Sequence, residues 1–143
     1  MPTAFAALFI GGVFIFPLSA LVCKLAFKRN ASVTGNPLGV LCLESTIAMI
    51  GCLLAAWLLL PDQPELVFPV AAIAVGTHYF AFKTAYGDRT YWLLGAILTG
   101  IGCAGVFVFP DRTLPLILSV AAAELAFGVL LTVQGLSRRP TAA

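Results

Sequence analysis

Three ionisable side chains lie inside long apolar stretches of this sequence: Glu44, His78 and Glu124. An acid and an imidazole can pass protons near neutral pH, because histidine titrates there and a desolvated or paired carboxylate moves toward it. The same groups could bind a cation or a small solute. Near the centre of a bilayer an acidic side chain costs on the order of 2.5–3.5 kcal/mol, so it faces other protein and finds a partner. Ser45 beside Glu44, and Thr77 and Tyr79 on either side of His78, are hydroxyls placed to support such a site. A structural alternative uses the same atoms. Glu44 or Glu124, protonated or hydrogen-bonded to His78, Ser45 or Thr77, would then fix helix register and do no chemistry. A third alternative is three unrelated positions, since equal depth does not bring side chains together.

Other chemistries have less support. No G-x-S-x-G elbow, H-E-x-x-H pair, phosphate-binding loop or dinucleotide fingerprint occurs. One histidine cannot build a three-His metal site, although a His with two carboxylates could hold a metal. No metal, cofactor or catalytic residue is expected. Cys23, Cys42, Cys52 and Cys103 all lie in apolar stretches and form no C-x-x-C pair, which reads as small buried residues.

The elements that carry these residues follow from composition. Of 143 residues, 61% are hydrophobic and 10% charged, with a net charge of +2. Average soluble domains carry roughly 25% charged residues. Eight Lys and Arg with six Asp and Glu cannot clothe a globule of this size. An ordinary soluble domain, a disordered chain and a nucleic-acid binder are excluded, the last because it needs a basic patch. The bilayer is the expected partner. A spanning helix needs about 20 apolar residues. Stretches 4–24, 38–60, 66–86, 91–109 and 114–136 qualify, separated by short segments rich in Pro, Gly, Asn and Asp. The expected fold is all-α: one transmembrane domain over residues 1–143, a bundle of five spans. Unbroken apolar runs speak against a barrel, whose strands alternate.

Loop charges orient the bundle. Lys24, Lys28, Arg29, Lys83, Arg89, Arg138 and Arg139 fall on one side and Arg112 on the other. Positive loops stay inside, so the N-terminus is expected outside and the C-terminus in the cytoplasm. At about 1.5 Å of rise per residue, His78 then lies about 18 Å and Glu124 about 15 Å from the outer face. Glu44 lies roughly 9 Å from the inner face, hence about 20 Å from the outer one. Three helices thus deliver an acid, a base and an acid to a similar level. Trp57, Tyr91 and Trp92 fall where interfacial rings belong.

Punctuation adds detail. Pro17 lies well inside the first span, where it removes a hydrogen bond and can kink the helix into a hinge. Asn36 can cap a second span that opens at Pro37, with Gly39 permitting close packing. Small residues four apart, Ala48-Cys52-Ala56 and Ala96-Gly100-Ala104, form ridges for close helix contact within the chain, or toward a second copy or another membrane protein. Gly12–Pro17 also resembles Gly105–Pro110. With a further upstream helix that pairing would fit a three-plus-three inverted repeat, although the two prolines sit at different depths.

Phe16-Pro17-Leu18 followed by Lys24, Asn36-Pro37-Leu38-Gly39, and Gly76-Thr77-His78-Tyr79 resemble a family of small multi-pass bacterial membrane proteins known only as a domain of unknown function. The resemblance runs from the first span to the fifth. It implies a location in the bacterial inner membrane and no particular activity. Members usually have six spans, with an extra N-terminal helix, and tend to have Pro where this chain has Ala81. Two functions are therefore expected of the chain. It is a small proton-linked transporter or permease-like protein with a polar site at mid-membrane, or a packing or accessory module whose Glu and His residues set register.

Overall fold

A computed structural model describes residues 2–25 and 38–137, apart from some side chains within the first and last helices. Five helices follow one another: α1 (Pro2–Leu25), α2 (Gly39–Trp57), α3 (Val67–Tyr86), α4 (Arg89–Phe107) and α5 (Thr113–Ser137). A single 3-10 turn, Pro64–Leu66, precedes α3. There is no strand among the described residues. Four segments are long and apolar enough to cross a membrane: Gly39–Trp57, Pro64–Tyr86, Arg89–Phe107 and Thr113–Gly135. α1 has 24 residues, and its described apolar stretch is the shorter Thr3–Gly12.

The helix ends follow from local chemistry. The apolar run of the second span continues to residue 60, but α2 closes at Trp57. From there the amides of Leu58, Leu59 and Leu60 bond three residues back, at 3.1 Å each. Pro61 explains the early stop, because it disfavours helical geometry in the residue before it. α3 ends at Gly87, whose φ of 70° is the left-handed conformation that glycine adopts without penalty. Its amide donates to the Lys83 carbonyl at 2.8 Å. One residue later Asp88 caps α4, its Oδ1 accepting from the Thr90 amide at 2.9 Å. Turning and capping within two residues makes α3 and α4 a tight hairpin. Pro64, Pro69 and Pro115 fall in first turns, where the missing N–H costs nothing. Asn36 and Pro37 lie outside the described residues. α2 opens at Gly39 behind Leu38, which makes no side-chain cap bond.

α3 is the hub, packed on α2, α4 and α5 and touched by Phe5 of α1 through Phe68. Its contact with α4 is built on glycine. A Cβ on Gly76 would meet the Thr99 backbone amide at 2.6 Å and the Gly95 carbonyl at 2.9 Å. One on Gly102 would meet the Pro69 carbonyl at 2.7 Å, and one on Gly105 would collide with Leu116. The expected ridge on α4 is therefore displaced. Gly95, Leu98, Gly102 and Gly105 are buried, whereas Gly100 is exposed with open space around it. On α2 only Ala56 of the expected ridge is buried, and Ala48 and Cys52 face outward. Close backbone approach selects the face where neighbouring helices have room for nothing larger than hydrogen. The two similar strings differ in the same way, since Gly105 is tightly enclosed and Gly12 has nothing within 4 Å.

The apolar core sits toward one end, where α1 begins, α2 ends and α3 begins. It holds Phe5, Leu53, Ala56, Val67, Phe68, Ala71, Ala72, Ala74 and Leu116. Trp57 closes it by edge contacts to Phe5 and Phe9, at 5.6 and 6.3 Å between centroids. Beyond these contacts α1 and α2 part around an open apolar groove of about 660 Å³. α1 runs helical through Pro17, whose side chain lies outside those described.

Candidate functional site

α2 and α3 meet through polar atoms at one place. The Ser45 hydroxyl lies 2.9 Å from His78 Nδ1 and 3.3 Å from the His78 carbonyl oxygen. A hydroxyl has one hydrogen and two lone pairs. When Nδ1 is bare, Ser45 donates to it. When Nδ1 carries a proton, Ser45 accepts from it and donates to the carbonyl instead. The pair is thus satisfied in either tautomer and with the ring charged, which suits a group that gains and loses protons. Its neighbour Thr46 instead bonds within α2, donating to the Cys42 carbonyl at 2.8 Å.

The other candidates are placed less evenly. Glu124 is partly buried on α5, within electrostatic reach of the Tyr79 hydroxyl. It stands at the head of an open groove of about 430 Å³ running along α5 past Gly128 and Thr132. Glu44 is exposed on α2 and has no hydrogen bond or ion pair among the described residues. One step along a helix turns a side chain by about 100°, so Ser45 and Glu44 cannot both face α3. Thr77 is exposed and bonds only its own helix, to the carbonyls of Ile73 and Ala74 at 2.9 and 3.0 Å. Tyr79 joins the site as a ring, 5.8 Å from His78. The structure therefore pairs Ser45 with His78 and sets Tyr79 beside His78 and within electrostatic reach of Glu124, while Glu44 and Thr77 make no hydrogen bond or ion pair with these groups among the described residues. Cys42 and Cys103 are partly buried and Cys52 is exposed; these three are free thiols.

Sequence reading missed the rings around His78. Phe82 stands edge-on to His78 at 4.6 Å. Phe82 stacks on Tyr86 at 5.8 Å with planes 8° apart. Tyr91, from the start of α4, lies 5.7 Å from Phe82, 5.8 Å from Tyr86 and 6.5 Å from Tyr79. The Cys42 thiol lies within electrostatic reach of the Tyr86 and Tyr91 hydroxyls, and Asp88 within reach of Tyr91. Tyr79, Phe82 and Tyr86 share one helical face by their i, i+3, i+7 spacing, a stripe that the sequence reading did not pick out. What the sequence hid is that the short Gly87-Asp88 turn folds Tyr91 back onto that stripe. Trp92, next along, is exposed.

Among the described residues, no three His, Cys, Asp or Glu side chains stand together as a metal site would need. A family of unknown function, DUF7010, has a family model that matches residues 1–134. The chain belongs to DUF7010. The match contains the whole Ser45–His78 site, the ring cluster, Glu124 and the three short strings that carried the resemblance. Membership of DUF7010 brings no activity with it. No curated protein and no solved structure matches the chain.

Proposed function

We propose that this DUF7010 protein is a small proton-linked transporter or permease-like membrane protein whose polar site is Ser45, His78 and Glu124. The observation that carries the reading is the 2.9 Å contact between Ser45 and His78 Nδ1. It places an imidazole, which can hold or release a proton, at the junction of two apolar helices, with a partner that can donate to it or accept from it. Glu124 beside Tyr79 supplies a second proton-holding group from a third helix. In this reading α1 is a fifth span, completing a bundle with its N-terminus outside and its C-terminus in the cytoplasm. The strong bias of Lys and Arg to one set of loops supports that orientation, and the family resemblance supports a bacterial inner membrane. Pro17 serves as the hinge of α1, and Glu44 lies off the path, near the headgroups of the inner face.

The packing-module reading draws on the same contact, since a hydrogen bond between α2 and α3 also fixes their register. Flux separates the two. The purified protein would be sealed into vesicles holding a pH-sensitive dye, and an imposed pH gradient followed with and without a membrane potential. Proton movement that falls at least tenfold in His78→Gln is the expected result. A chain that folds and inserts but moves no protons, or whose flux ignores His78→Gln, belongs to the packing module.

A further inference from the structure

The site is sealed differently at its two ends. Toward the start of α3, the helices meet in the buried cluster of Phe5, Leu53, Val67, Phe68, Ala71 and Ala72. There α4 lies so close to α3 that a methyl group on Gly102 would strike backbone. Nothing water-sized passes through such contacts. Toward the Gly87 turn α3 and α4 stay closely packed, through Gly95 and the buried Leu94 and Leu98, and the side of α3 that bears His78 carries rings instead. His78 and Tyr86 are separated by eight residues, about 12 Å along the axis, and the interval is filled by rings. Phe82 stands directly on His78, Tyr86 stacks on Phe82, and Tyr91 closes the side. Stacked rings make few directional bonds and turn about two side-chain torsions. Tyr86 is 48% exposed, so its ring can swing outward without displacing a neighbour's backbone. The polar edges in this interval are the Tyr86 and Tyr91 hydroxyls, the Cys42 thiol and Asp88 at the mouth.

We infer that Phe82, Tyr86 and Tyr91 form an aromatic gate through which the Ser45–His78 site exchanges water and protons with the face carrying the Gly87–Arg89 turn, and with that face alone in this state. The gate rests on the polar-site reading, because a dry register contact needs no access. Opening requires Phe82 and Tyr86 to leave their stack, after which the hydroxyls of Tyr86 and Tyr91 line the path. Tyr79 borders the same rings, 6.0 Å from Phe82 and 6.5 Å from Tyr91, but lies within electrostatic reach of Glu124 and need not move for the gate to open.

The test reads access to position 45 in the full chain. Cys23, Cys42, Cys52 and Cys103 would be replaced by Ala, and Ser45→Cys introduced. A membrane-impermeant maleimide would then be applied to sealed vesicles of each orientation. With the rings intact, labelling is expected to be slow from the turn face and slower still from the other. Phe82→Ala or Tyr86→Ala should raise the rate from the turn face at least tenfold and leave the rate from the opposite face unchanged. Tyr86→Ala removes an exposed ring, so it remains informative if Phe82→Ala fails to insert. Labelling that ignores both ring variants, or that is faster from the opposite face, overturns the gate and leaves the polar site standing. Protection from both faces in both ring variants, with full labelling after denaturation, overturns the gate and the polar-site reading together.

Discussion

The two ends of this bundle solve the same packing problem with different materials. At the end where α1 begins, helices touch through glycine, alanine, aliphatic side chains and the edge-packed rings of Phe5, Phe68 and Trp57. Toward the Gly87 turn, α3 and α4 still touch closely at Gly76 and Gly95, but rings line the His78 side of α3, and the hydroxyls, thiol, imidazole and carboxylates gather about them. In lipid there is no hydrophobic force between helices, so association rests on close packing or on polar contacts. The first end uses the former and the second adds the latter. Rigidity and chemistry are thereby separated along one helix, α3, which is fixed at its beginning and decorated at its end.

The largest effects should come from the packed end. Gly102→Ala places a methyl group 2.7 Å from the Pro69 carbonyl, against backbone that cannot step aside. Overpacking of this kind costs typically 1–3 kcal/mol, and the upper part of that range, about 2–3, is expected here. Gly100→Ala, on the open face of the same helix, should change stability by less than about 0.5 kcal/mol. Reversible unfolding in mixed detergent would measure both. Equal effects would mean that α4 packs through the Ala96-Gly100-Ala104 face after all. Phe5→Ala comes next. Phe5 is fully buried and meets Trp57 and Phe68 edge-on. A loss of roughly 2 kcal/mol is expected, below the ~3–5 kcal/mol of a soluble core because lipid can refill part of the gap. No loss in the same unfolding assay would detach α1 from the packed end.

This contrast between ends was only partly legible in the residues. Helix number and limits follow from run length and from Pro61, Gly87, Asp88 and Pro110, because those residues act on the backbone they belong to. Depth follows from counting, so His78 and Glu124 could be placed near one level. Azimuth could not be counted. A helix that is apolar on every side has no stripe to show which face meets protein. Small residues occur on both faces of α4, and only the fit against Pro69 and Ile73 selects Gly102 over Gly100. The same ambiguity hid the site. Ser45 and Glu44 are adjacent, the acid looked the more informative, and the hydroxyl is the one that reaches α3. The rings were hidden for a different reason, since Tyr91 reaches them only through a turn whose tightness depends on Gly87 and Asp88 together.

At the ring end the effects on stability should be smaller. Ser45→Ala removes the contact between α2 and α3 and leaves His78 Nδ1 without its partner. Hydrogen bonds between helices in membranes average about 0.6 kcal/mol and reach about 1.7, and a value near 1 is expected. Thr77→Ala, which removes bonds only within α3, should cost less than Ser45→Ala in the same assay. The reverse order would show that bonding within α3, and not the Ser45–His78 pair, holds this end together.

The smallest effect expected, and the one that bears most on function, is that of Glu44→Gln. Glu44 is five residues into α2 from Gly39, about 8 Å along the axis, exposed and without a bonded partner among the described residues. From there a glutamate can extend its carboxylate to the headgroups, so exchanging it for an amide should alter stability by less than about 0.5 kcal/mol. Proton flux in vesicles should also be unchanged. Glu124→Gln is the matched control. Its carboxyl is partly buried beside Tyr79, and flux through the site should fall at least tenfold when it can no longer hold a proton. If Glu44→Gln stops flux while Glu124→Gln spares it, the conducting surface is the outward face of α2. The polar end of the bundle would then open toward the groove between α1 and α2 rather than through the rings.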